Sequence, residues 1–129
     1  MLAKEEQERL NAMTEKIIGC AFKVSNTLGV GFLERVYENA LAYELRKLGL
    51  NVLQQQPVTV LYERVVVGQY FADLLVENAI IIELKVVGKF EDIHFVQCLN
   101  YLKATNLRLG LLINFGLSKI TVKRIANNF

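Results

Sequence analysis

Residues 79–87 of the chain read Ala-Ile-Ile-Ile-Glu-Leu-Lys-Val-Val, an apolar run that is interrupted twice by charge. Aliphatic residues at this density are typical of a buried strand, on which side chains two positions apart project from the same face. Glu83 and Lys85 therefore share one face of the predicted strand. Burying two charges that have neither a task nor a partner is unfavourable, so this pair marks a candidate functional site.

The preceding predicted strand carries a similar anomaly, because Asp73 lies in an otherwise apolar and aromatic stretch. If residues 77–79 form a three-residue hairpin loop, Asp73 lies opposite Glu83, with about 4.5–5.5 Å between the Cβ atoms. A two-residue loop at residues 78–79 would instead place Asp73 opposite Leu84 and turn Glu83 to the other face. The sequence is compatible with both loops, and only the first brings the charged groups together.

Two carboxylates and one ammonium group at a single point would suit a divalent metal site. Like carboxylates repel each other unless a cation or a proton lies between them. A few hard oxygen ligands, with room left for water and phosphate, suit Mg²⁺ or Mn²⁺, and such an ion polarises a phosphoryl oxygen and activates water. Lys85 could orient that water or stabilise the developing negative charge. The competing interpretation is a plain Glu83–Lys85 ion pair, with Asp73 at a strand end.

The rest of the chain predicts an α/β domain with a mixed sheet. Apolar residues in steps of three and four predict helices over residues 5–28, 33–48 and 90–105. Short β-branched or aromatic stretches predict strands at residues 52–56, 58–62, 69–76, 79–87, 108–114 and 119–125. The order is helix, helix, antiparallel strands, helix, strand, and it contains no linker or repeat. We therefore expect one domain over residues 1–129.

Composition limits the cellular location and the binding partners that can be expected of this protein. The apolar runs are much shorter than the roughly 18–20 residues of a membrane span, and the chain begins with charged residues, so a cytoplasmic protein without membrane contact is expected. A net charge of +2, spread along the chain, permits a nucleic-acid partner without requiring one. The apolar excess also makes a homodimer plausible. Because the chain has only one histidine, Cys20 and Cys98 form no zinc pattern and are predicted to be buried, reduced thiols.

Two motifs together resemble a known family. Asp73, nine residues and then Glu83-Leu84-Lys85 resemble the core motif of the PD-(D/E)XK phosphodiesterase superfamily. Residues 31–37, Gly-Phe-Leu-Glu-Arg-Val-Tyr, resemble the signature of its GxxExxY branch. The resemblance extends from about residue 14 to residue 125 and departs from the superfamily pattern at Ala72, where proline is usual. It implies a restriction-endonuclease-like α/β fold with an αβββαβ core and a mixed sheet flanked by helices.

The resemblance also implies roles for individual residues. Asp73 and Glu83 would be metal ligands, Lys85 would be the catalytic lysine, and Glu34 would be an additional acidic residue near the metal. The alternative for Glu34 is favourable placement at a helix N-terminus, which contributes up to about 1 kcal/mol. Tyr37 is expected to contact substrate, with an ordinary core aromatic as its alternative. The implied cofactor is Mg²⁺ or Mn²⁺, and the implied partner is nucleic acid, with DNA preferred over RNA.

The third predicted helix adds a further motif. Gln97 and Tyr101 are four residues apart, and His94 lies three before Gln97, so the three share one helix face. Gln97 and Tyr101 resemble the Gln-x-x-x-Tyr motif of RecB-type nucleases. That resemblance implies that Gln97 helps hold the metal shell or the scissile strand and that Tyr101 contacts substrate. The alternative is a solvated helix face, and His94 lies outside the motif.

Three functions remain open at this stage. The first is a metal-dependent nuclease acting on DNA, and the second is a non-catalytic module that binds nucleic acid or a protein partner. The third is a hydrolase of some other phosphoester. A nuclease needs its metal, whereas a binding module binds with or without one. A small-molecule phosphodiesterase would ignore nucleic acid and hydrolyse a chromogenic diester.

Overall fold

The fold, taken from a computed structural model that describes residues 1–129, has three helices and five strands in one sheet. The elements are α1 (Lys4–Leu28), α2 (Glu34–Lys47), β1 (Val52–Tyr62), β2 (Val65–Val76), β3 (Ile80–Lys85), α3 (Asp92–Thr105), β4 (Leu109–Asn114) and β5 (Thr121–Ala126). The strands lie in the order β1-β2-β3-β4-β5. β3 and β4 are parallel and the other neighbours are antiparallel, so the predicted mixed sheet is confirmed.

The element order from α2 to β4 is αβββαβ, as the resemblance implied, with α1 before this core and β5 after it. Two predicted strands, residues 52–56 and 58–62, are in fact the single strand β1. Pro57 is tolerated within β1 because this strand lies at the edge of the sheet, where a missing N–H need not break the ladder. β2 begins at Val65 rather than at residue 69, since Gly68 lies inside the strand and does not end it.

The helices cover both faces of the sheet. α1 and α2 pack on one face over the larger core, which includes Leu41, Leu74, Ile82 and Ile113. α3 packs on the other face, where Tyr101 and Leu102 meet Val58, Ala72 and Ile81 in a smaller cluster. Because strand side chains alternate between faces, Glu83 shares the α3-facing side of β3 with Ile81.

The β2–β3 hairpin has the three-residue loop that brings the acidic residues together. Val76 pairs with Ile80, and Ala79 N–H donates a hydrogen bond of 3.0 Å to Val76 O. Glu77 and Asn78 turn the chain with φ values of +52° and +51°. The two-residue alternative is therefore wrong, and the register places Asp73 opposite Glu83.

The end of β4 fixes the chain immediately after β3. Phe115 N–H donates to Lys85 O at 2.8 Å. The buried side chain of Asn114 accepts from Val87 N–H at 3.1 Å and donates to Val87 O at 2.9 Å. A Cβ at Gly116 would lie 2.4 Å from Val87 O, so only glycine allows this approach. We call this set of contacts the Asn114 bracket, and it holds the C-terminal end of the strand that carries Lys85.

Both cysteines are unpaired and buried, as expected. Burial raises the pKa of the Cys98 thiol to about 12, so the thiol stays protonated at neutral pH. Its sulfur fills the space over Gly110, where an added Cβ would approach within 2.9 Å. None of the three helices has the length and apolar character that a membrane span requires.

Candidate active site

Asp73 lies on β2 and Glu83 on β3, just beyond Leu74 and Ile82, the last residues that pair between these two strands. Side-chain hydrogen bonds of the two acids join the strands at this point. Asp73 N–H donates to Glu83 Oε1 at 3.1 Å, and Leu84 N–H donates to Asp73 Oδ2 at 2.8 Å. The two residues are thus linked by a pair of hydrogen bonds between carboxylate oxygens and backbone amides. Glu83 is only 5% exposed, whereas Asp73 is half-buried. The two acids therefore meet at one point of the sheet, with Asp73 on the more open side.

The proximity of these acids shifts the titration of Glu83. Burial, and then the negative charge of Asp73, raise the pKa of Glu83 to about 9. The Asp73 amide and the Lys85 ammonium group oppose that rise. Without a cation, the carboxyl of Glu83 therefore keeps its proton at neutral pH. Two adjacent carboxylates repel each other unless a proton or a cation neutralises one of them, and in this pair the proton on Glu83 does so.

Lys85 follows Glu83 on the same face of β3 and is half-buried. No acidic side chain lies within ion-pair distance of it, since the four ion pairs of the molecule lie within α1 and α2. The simple Glu83–Lys85 ion pair, the competing interpretation of the sequence, is therefore wrong. The ammonium group is left available for another partner.

Glu34 is the first residue of α2. Burial raises the pKa of Glu34, and the nearby charges of Asp73 and Glu38 raise it further, while Lys85 lowers it. These influences place Glu34 within electrostatic range of Asp73 and Lys85. The three predicted acids do not, however, converge closely enough to form a metal site.

Two site residues were missed by the sequence analysis, Glu38 and Gln55. Gln55 Nε2 donates to Glu38 Oε1 at 2.6 Å and to Asp73 Oδ1 at 3.3 Å. Glu38 is buried, and its second oxygen accepts from Gln54 at 2.8 Å. Gln55 has a φ of +51°, which is uncommon for a residue with a side chain and turns this one toward both acids. The available signals were the run of three glutamines in a strand and the four-residue spacing of Glu34 and Glu38.

Gln97 and Tyr101 lie on the side of α3 that approaches the sheet. Gln97 Nε2 donates to the Tyr101 hydroxyl at 3.1 Å. Tyr101 is only 6% exposed, so the interpretation of a solvated helix face is wrong for this residue. Burial, and then the negative charges of Glu83 and Asp73, raise the pKa of Tyr101 to about 12. The hydroxyl therefore stays protonated and lies within electrostatic range of the acidic pair.

Tyr37 and His94 have clear structural roles. Tyr37 is 0% exposed and stacks on Phe115 with ring centroids 4.8 Å apart. Its hydroxyl donates to Gly29 O at 2.6 Å and so fixes the turn between α1 and α2. In this conformation Tyr37 has no surface with which to contact a substrate. His94 forms a capping box with Glu91 at the start of α3, because its Nδ1 accepts from Glu91 N–H at 3.0 Å.

The donor chemistry of this site fits Mg²⁺ or Mn²⁺, although the side chains are not arranged around an ion. No three His, Cys, Asp or Glu side chains converge closely enough to hold a metal. One oxygen of Asp73 and one of Glu83 already accept from backbone amides. Carboxylate oxygens are nevertheless the ligand type that these ions prefer, and neither Asp73 nor Glu83 forms an ion pair with a basic side chain.

Comparison with known proteins identifies the family to which the chain belongs. No curated protein and no solved structure matches the chain. A profile of the PD-(D/E)XK nuclease superfamily matches residues 11–125, which covers every site residue described above. The αβββαβ core and the opposed Asp73 and Glu83, with Lys85 two residues on, agree with that match. The chain belongs to the PD-(D/E)XK nuclease superfamily.

Proposed function

We propose that this protein is a metal-dependent nuclease that hydrolyses phosphodiester bonds in nucleic acid, with DNA as the preferred substrate. The observation that carries the proposal is the opposition of Asp73 and Glu83 at a point where no cationic side chain neutralises them. Membership in the superfamily supports nucleic acid as the substrate class. The free ammonium group of Lys85 beside this pair supports a catalytic site over a purely structural one.

Each residue has a task in this proposal. Asp73, Glu83 and Glu34 would hold Mg²⁺ or Mn²⁺, which when bound supplies Lewis-acid polarisation of the phosphoryl group. Lys85 donates hydrogen bonds that orient the attacking water and stabilise the developing negative charge. Gln97 holds the Tyr101 hydroxyl, which stays protonated and can donate to the substrate strand. We also propose the GxxExxY branch of the superfamily, supported by Glu34, whose pKa the charges of Lys85 and Asp73 affect, and by Tyr37 closing the turn that precedes it.

A second candidate is a non-catalytic module that binds nucleic acid or a protein partner. It is favoured by one observation, the absence of three converging metal-binding side chains. In this candidate, the two carboxylate–amide bonds are structural and serve only to join β2 to β3. The two candidates differ in whether a divalent ion binds at Asp73 and Glu83.

The test combines metal binding with cleavage. Mn²⁺ is titrated by calorimetry into the wild type, Asp73→Asn, Lys85→Ala and Lys89→Ala. Each protein is then incubated with labelled single-stranded and duplex DNA and RNA. Lys89 is the charge-matched control, because it is exposed and lies outside the site. We expect the wild type and Lys89→Ala to bind Mn²⁺ and to cleave only when metal is present.

The two site variants should behave differently from each other. Asp73→Asn should lose metal binding and cleavage, since it removes a ligand charge, while still binding nucleic acid. Lys85→Ala should bind metal and fail to cleave. Cleavage by Lys85→Ala at the wild-type rate would overturn the role of Lys85. If the wild type binds no Mn²⁺, the acidic pair is structural and the binding module becomes the better candidate.

A further inference from the structure

A groove runs between α3 and a ribbon formed by β1 and β2. β2 pairs with β3 only over residues 74–76, whereas its pairing with β1 continues back to Val65. The two strands therefore extend past β3 as a two-stranded ribbon above α3. The groove between them has a volume of about 730 Å³. Sites for small organic ligands typically have volumes of about 300–1,000 Å³.

The walls of this groove are apolar and open to water. The ribbon contributes Val60, Leu61 and Tyr70, and α3 contributes Ile93 and Val96. All of these except Val60 are exposed. Exposed apolar patches of this kind commonly mark interaction sites. No acidic residue lines the groove, and Lys103 is the only charged residue that does. The groove therefore has no negative charge that would repel a polyanion such as nucleic acid.

The groove is continuous with the candidate active site. Gln97 and Tyr101 line the groove and also form the hydrogen-bonded pair described above. Tyr101 packs in the same cluster as Ala72 and Ile81, which lie on β2 and β3 beside Asp73 and two residues before Glu83, so the acidic pair lies next to that end of the groove. A strand whose phosphate lies at the acidic pair would therefore have its neighbouring nucleotides beside the groove.

Unpaired nucleotides match these walls better than duplex does. Bases in a duplex already stack on one another, so their faces cannot contact the apolar walls of the groove. An unpaired base can place its face on the ring of Tyr70, which is 49% exposed and is backed by Tyr101 at 5.8 Å between centroids. Stacking of this kind tolerates any base sequence. Asn100 and Lys103 on the α3 wall supply donors for base edges and phosphates.

We propose that this groove binds unpaired nucleotides adjoining the scissile phosphate, so that the substrate is single-stranded nucleic acid or a single-stranded segment at a duplex end. The proposal rests on the nuclease function argued above. It also accounts for a net charge of only +2, since base stacking lessens the dependence on phosphate contacts that dominates duplex binding.

Fluorescence anisotropy with a labelled oligothymidine and a duplex of the same length tests the groove. The measurements are made in EDTA, so that no strand is cut. Tyr70→Ala removes the stacking face, and Tyr43→Ala is the matched control, an exposed tyrosine on α2 that does not line the groove. We expect the wild type to bind the single strand more tightly than the duplex. Tyr70→Ala should weaken single-strand binding about five-fold or more, the range for loss of one stacked base.

A second variant, Val96→Glu, places a negative charge in the groove at an exposed position, where folding should be preserved. It should also weaken single-strand binding.

The possible outcomes distinguish the groove proposal from the nuclease function. If cleavage requires metal but both oligonucleotides bind with equal affinity and Tyr70→Ala has no effect, the groove proposal is overturned and the nuclease function is kept. Tyr70-dependent binding without metal binding or cleavage would support the groove and reject the nuclease. If light scattering shows a wild-type dimer that Val96→Glu dissociates without affecting oligonucleotide binding, the groove is an interface between two copies.

Discussion

At the scale of single residues, the site depends on how Asp73 is held. Its two oxygens accept from different donors, Oδ1 from Gln55 and Oδ2 from Leu84 N–H. Gln55 in turn ties Asp73 to the buried carboxylate of Glu38. Side chains that orient a metal ligand affect binding nearly as strongly as the ligand itself, and their loss typically lowers metal affinity or activity about 10–100-fold.

Gln55→Ala should therefore lower Mn²⁺ affinity about ten-fold, because Asp73 loses the donor that orients it. Gln54→Ala is the matched control, since Gln54 also donates to Glu38 but does not touch Asp73. Both variants should lose about 1–3 kcal/mol of unfolding free energy, the usual cost of depriving a buried acceptor of its donor. Calorimetry with Mn²⁺ and urea denaturation measure the two quantities. Equal Mn²⁺ affinity in the two variants would show that Gln55 does not position Asp73.

Prediction from sequence succeeded for some residues of the site and failed for others for physical reasons. The two-residue periodicity of a strand is enough to place Glu83 and Lys85 together, and one choice of loop adds Asp73. Gln55 could not be predicted, because its left-handed backbone conformation turns the side chain away from the direction that periodicity implies. The burial of Tyr101 depends on how α3 packs on the sheet, which the helical pattern alone does not fix.

At the scale of elements, the Asn114 bracket connects the end of β4 to the chain after Lys85. β3 and β4 are parallel, so their carboxyl ends lie together, and α3 crosses from one to the other. The sequence predicted both strands within two residues at each end. The order of elements predicted a mixed sheet but not that β3 pairs with β4, because a strand pattern does not determine the neighbouring strand.

Asn114→Ala should remove about 1–3 kcal/mol of unfolding free energy, since the N–H and C=O of Val87 lose their partners. We expect cleavage to fall as well, because the carboxyl end of β3 loosens beside Lys85, while Mn²⁺ affinity stays close to that of the wild type. Asn26→Ala, at an exposed position on α1, serves as the control. Urea denaturation and a cleavage assay make the comparison. Wild-type stability of Asn114→Ala would mean that the bracket contributes nothing to holding β3.

At the scale of the whole molecule, the candidate site is assembled from distant parts of the chain. α2 brings Glu34, β2 and β3 bring the acidic pair and Lys85, and α3 brings Gln97. The pattern of elements predicted this α/β arrangement. It did not predict the ribbon, because the predicted strands were shorter than β1 and β2 and left out Pro57 and Gly68, which both lie within these strands.

The carboxylate–amide bonds between β2 and β3 have a consequence for hydrogen exchange. We expect a bound ion to draw the carboxylate oxygens of Glu83 and Asp73 away from these amides, so metal binding should expose the N–H groups of Asp73 and Leu84. Isotope exchange followed by NMR, with diamagnetic Mg²⁺, should then show faster exchange at these two amides, while those of Ile82 and Ile113 in the same sheet keep their protection. Unchanged rates at saturating Mg²⁺ would mean that the ion binds without disturbing these bonds. The two amides would thus report site occupancy directly, without any need to identify the substrate.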